Sequence, residues 1–168
     1  KLNAKDRILE AKEKVIQRQE KELAIQEMRR VVSRSPSVGQ HQAAALSFLA
    51  KSLLDDGFAD QAFQDARRLY EARPGLPQAV LLYVRAAMAT DQPTLVADAL
   101  KKVLTQHGDE PDMLAAVVGC LESIKDVKQL KSIVKEITDV EPAALIQSLI
   151  NKIADCRPAA GDLDQGRA

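Results

Sequence analysis

Residues 43–76 read AAALSFLAKSLLDDGFADQAFQDARRLYEARPGL, residues 77–110 read PQAVLLYVRAAMATDQPTLVADALKKVLTQHGDE, and residues 111–144 read PDMLAAVVGCLESIKDVKQLKSIVKEITDVEPAA. Superimposed at a period of 34 residues, the three stretches share seven apolar columns. The first four are Leu46/Val80/Leu114, Leu49/Tyr83/Val117, Ala50/Val84/Val118 and Leu53/Ala87/Leu121. The last three are Ala62/Val96/Leu130, Ala66/Leu100/Val134 and Leu69/Val103/Ile137. Breakers keep the same register: Pro74 and Pro142 share a column in which the middle copy has Gly108, and Pro77 shares one with Pro111.

The first four columns are three, one and three residues apart, which places them on one stripe of a helix. The last three are four and three apart and form a second stripe. Between the stripes lie Asp55-Asp56-Gly57 in the first copy, Thr90-Asp91-Gln92-Pro93 in the second and Ser123 to Asp126 in the third. Each unit therefore reads as helix, tight turn, helix. A single hairpin cannot bury both stripes, whereas stacked neighbours can, so the pattern predicts an all-α solenoid.

A 34-residue unit of two helices resembles the tetratricopeptide repeat, over about 100 of the 168 residues. The first copy carries the likeness best: Gly57 in the turn, Ala62 as the small residue early in the second helix, Pro74 after it, and Ala50 at the small position of the first helix. The repeats are degenerate. Leu46, Val80 and Leu114 stand where the family often has an aromatic, and Val84 and Val118 replace the small residue. The resemblance implies three helix-turn-helix repeats over residues 43–156, closed by a C-terminal capping helix and preceded by a long N-terminal helix.

Composition narrows the functional classes. Lys plus Arg equals Asp plus Glu at 24 each, so there is no surplus of positive charge for general nucleic-acid or membrane-surface binding. Aromatics make up 3% of the chain, and Ala, Leu, Val and Ile carry the core. No apolar run approaches the ~20 residues of a membrane span, so no membrane insertion is expected. Cys120 and Cys156 form no disulfide framework, and a reducing, cytoplasmic setting is the simpler expectation. Cys120 reads as a small core residue.

Residues 1–33 contain no Gly or Pro and are rich in helix formers. Leu9, Ile16 and Leu23 recur every seven residues, and Ile8 and Val15 widen the stripe. Two readings stay open. One is a coiled coil or linker helix, with Ile8, Leu9, Val15, Ile16 and Leu23 forming a homodimer seam. The other is a solvated helix docked in part on the first repeat. Residues 34–42 are a linker around Ser35-Pro36 and Gly39. Beyond Pro142, residues 143–155 place Leu145, Ile146, Leu149, Ile150 and Ile153 on one helical stripe, the expected cap. Residues 157–168 read as a disordered tail.

Chemistry is sparse. His41 and His107 lie at helix edges with no Cys or His at ligand spacing, so no metal site is expected. The acidic pairs Asp55-Asp56 and Asp109-Glu110 fall in turns and read as helix stops and caps. Arg67-Arg68 and Lys101-Lys102 read as solvated faces. No phosphate loop or nucleophile motif is present, so neither a catalytic residue nor a cofactor is expected, and the chain does not read as an enzyme.

The family likeness implies that the first helix of each hairpin lines a concave binding face. On it would lie Ser47, Lys51 and Leu54, then Gln78, Leu81, Arg85 and Met88, then Asp112, Ala115, Gly119 and Glu122. Lys51 and Arg85 are one period apart and, flanked by Leu54, Leu81 and Met88, would grip a peptide with an acidic group and an apolar anchor. The bland alternative is that both are ordinary solvated positions. Carboxylate-clamp members of the family also use an asparagine on the first helix. Leu54 and Asp55 stand near that place, so the specialised clamp is not expected. The expected function is a non-catalytic scaffold or adaptor that binds a protein or peptide. The alternative is the output or adaptor region of a larger bacterial-type signalling or secretion protein, joined to an upstream domain by the N-terminal helix.

Overall fold

The computed structural model describes residues 3–138. Among the described residues every regular element is a helix. The expected cap at 143–155, Cys156 and the tail at 157–168 lie outside the described residues. The chain divides into two compact units, Lys1–Arg73 and Pro74–Ala168. That division falls within the stretch read as repeats, at the Pro74-Gly75 breaker.

The first unit holds α1 (Ala4–Ser33), α2 (Gln40–Asp55) and α3 (Ala59–Ala72). At the start of α1 the Asn3 side chain accepts from the Asp6 N–H at 3.0 Å, and the Asp6 carboxylate accepts from the Asn3 N–H at 3.2 Å. This reciprocal box satisfies two donors that a bare helix end leaves unpaired. α2 packs against both α1 and α3. Leu46, Leu49, Ala50, Ala62, Ala66 and Leu69 are fully buried in this unit. The three alanines let the helices approach closely, and each buried leucine contributes about 1.5–3 kcal/mol.

The second unit holds α4 (Pro77–Ala89), α5 (Pro93–His107), α6 (Pro111–Ser123) and α7 (Val127–Thr138). α4, α5 and α6 each open on a proline in the first turn, where its missing N–H costs nothing. α4 packs on α5 and α6, and α5 packs on α6 and α7. Asp126 caps α7, its Oδ1 accepting from the Lys128 N–H at 2.8 Å.

The turns of the first two copies repeat bond for bond. The Phe58 N–H donates to the Leu53 carbonyl at 2.8 Å and the Gly57 N–H to the Leu54 carbonyl at 3.2 Å. At the same columns Gln92 donates to Ala87 at 2.9 Å and Asp91 to Met88 at 3.1 Å. This is the Schellman closure, whose turning residue needs positive φ. Gly57 has φ +82° and Asp91 φ +56°. Glycine adopts that conformation freely and aspartate tolerates it better than most residues. The third copy ends differently: Ile124 leaves α6 in an extended conformation and is buried.

All seven columns are buried in the first two copies. In the third, Val117, Leu121 and Ile137 are buried, while Leu114, Val118, Leu130 and Val134 are half-buried.

Candidate functional site

The first-helix residues expected to line a binding face are all solvent-accessible, because they occupy the positions between the core columns. On α2, Lys51 is exposed and Ser47 and Leu54 are half-buried. On α4, Gln78 and Arg85 are exposed and Leu81 and Met88 half-buried. On α6, Asp112, Ala115 and Glu122 are exposed and Gly119 half-buried.

Within the second unit α4 packs on α6, and the two sets of residues meet at Leu81 and Gly119. A Cβ added at Gly119 would sit 3.6 Å from the Leu81 side chain, ordinary contact distance, so Leu81 lies directly over Gly119. Leu81 and Met88 supply the apolar part. Arg85 stands between them in sequence, and Asp112 and Glu122 lie at the two ends of α6. Lys51 and Leu54 hold the corresponding columns on α2, in the first unit.

The histidines lie at helix edges, as the sequence leads one to expect. His41 is at the start of α2 and exposed. His107 ends α5, with its Nδ1 2.7 Å from the Glu110 carboxylate. Among the described residues no group of three or more His, Cys, Asp or Glu side chains is placed to hold a metal ion. Cys120 is buried, and desolvation pushes its thiol up to about 12, so it remains an unreactive thiol at neutral pH.

The acidic pairs stand where helices stop and start, as sequence reading expects: α2 ends at Asp55 with Asp56 as its C-cap, and Glu110 is the N-cap residue of α6. Asp56 also meets Lys21 of α1 at 2.6 Å. Glu110 precedes α6 without a side-chain capping bond and pairs with His107. Arg68 is likewise drawn out of the solvated face expected for it. It donates to the Ser35 carbonyl at 3.2 Å and ties the linker to α3.

Of the residues expected to form a dimer seam, Ile8, Leu9, Val15 and Ile16 fall on the free part of α1, and Leu23 falls on the exposed face of its docked part. Ile8, Leu9, Val15, Ile16 and Leu23 are each more than half exposed. The other end of α1 is docked. Val32 is buried, and Ala24, Ile25, Met28 and Val31 are half-buried. Lys21 reaches Asp56, and Arg29 reaches Asp65 of α3 at 3.3 Å. The docked reading therefore holds for one face of residues 21–33, from which Leu23 points away, and residues 4–20 are not docked.

Asp65 is the most consequential ionisable group in this contact. Burial raises its pKa above the usual carboxylate value, and Arg29 and Arg68 offset part of that rise. Its Oδ2 lies at ion-pair distance from Arg29 but without hydrogen-bond geometry.

Sequence reading missed a shallow groove in the first unit, lined by Met28, Val31, Arg34, Gln42, Ala45 and Phe48. The signal was present. Phe48 shares a column with Leu82 and Ala116, and an aromatic there has no apolar reason to be exposed.

No protein family, curated protein or solved structure matches the chain. No helix among the described residues is long and apolar enough to cross a membrane.

Proposed function

We propose that this chain is a non-catalytic protein-interaction module of degenerate tetratricopeptide-like repeats, and that the α4–α6 face of its second unit binds an extended peptide. The observation that carries this reading is the exposed face around Leu81 and Gly119, which combines apolar and charged groups on a rigid helical support. Helical repeats characteristically present such faces to partners. The repeated Schellman turns at one period support the repeat reading. Leu81 and Met88 suit an apolar anchor on the ligand, and Arg85 suits an acidic group beside it.

The test is capture of partners from the source cell by the native chain and by Arg85→Glu, with helicity checked by circular dichroism. The expected result is a partner held by the native chain and lost by the variant. Its affinity should fall as salt rises, since screening weakens charge contacts. A partner retained equally by Arg85→Glu and by Leu81→Asp, or an affinity indifferent to salt, overturns the assignment of this face.

A further inference from the structure

We draw no further inference here: the strongest candidate, the exposed apolar patch on the free half of α1 at Ile8, Leu9, Val15 and Ile16, carries nothing because nothing in the structure shows what covers it.

Discussion

Residues 4–20 and 21–33 of α1 share one helix and much the same charged composition, and only the second set is held by the rest of the unit. Docking rests on few groups: Val32 buried, Met28 and Val31 half-buried, and the pairs Lys21–Asp56 and Arg29–Asp65. The free half carries Ile8, Leu9, Val15 and Ile16, and none of them is covered. Apolar content alone therefore does not decide what a helix buries. Position relative to a neighbour decides it, and α2 and α3 reach only the last turns of α1.

The largest effect should come from the hairpin on which α1 docks. Ala62 is fully buried, and Ala62→Arg places an unpaired charge there, costing several kcal/mol. Loss of cooperative unfolding, or a thermal midpoint lowered by many degrees, is expected. An unchanged midpoint would mean that the column register is wrong. Truncations then compare the two halves of α1 directly. Removing residues 1–33 should cost about 3 kcal/mol of the first unit's stability through the lost burial around Val32. Removing residues 1–20, measured at high dilution so that self-association does not contribute, should change it by less than about 0.5 kcal/mol. Equal losses from the two truncations would erase the distinction between the halves.

Asp65 gives the docked half a pH signature. Its folded pKa is raised above 3.8, chiefly by burial. The stability contributed by its protonated form is therefore fully present below that value and lost as pH rises through the raised folded value. Asp65→Asn stays neutral throughout. The stability of the Asn variant relative to the native chain should therefore improve between about pH 4 and pH 7, whatever the substitution costs at the acid end. Urea midpoints of both proteins at the two pH values check this. A constant difference would mean that Asp65 is as well solvated as a surface carboxylate.

The repeat region was legible because each column is written three times. Each helix from Gln40 to Thr138 carries one of the six expected apolar stripes. The accessible first-helix residues, such as Leu81 and Arg85, were legible for the same reason, since they fill the spaces between core columns. The turn of the second copy was less so. Asp91 takes the positive φ that Gly57 takes one period earlier, and an aspartate does not announce that conformation as a glycine does. The N-terminal cap was hidden because Asp6 stands where Glu or Gln usually completes the box. The docking of α1 was hidden more deeply. Its helix is written once, so no second copy marks which of its stripes is covered. Lys21 meets Asp56 and Arg29 meets Asp65, across 35 and 36 positions of sequence.

The smallest effect marks where docking begins. Lys21 reaches the hairpin through a 2.6 Å ion pair with Asp56 whose side chains are 38% and 37% exposed. Solvent screens such a pair, and a coupling of about 0.2–1 kcal/mol is expected from a double-mutant cycle of Lys21→Ala and Asp56→Ala. The two single variants should differ. Asp56 is the C-cap of α2, where a carboxylate meets the negative end of the helix dipole. Removing it deletes an unfavourable term along with the ion pair, so Asp56→Ala should be close to neutral. Lys21→Ala leaves the carboxylate uncompensated at that end and should be the more destabilising. High salt should shrink the coupling. A coupling of zero at low salt would move the boundary of the docked half on to Arg29 and its pair with Asp65.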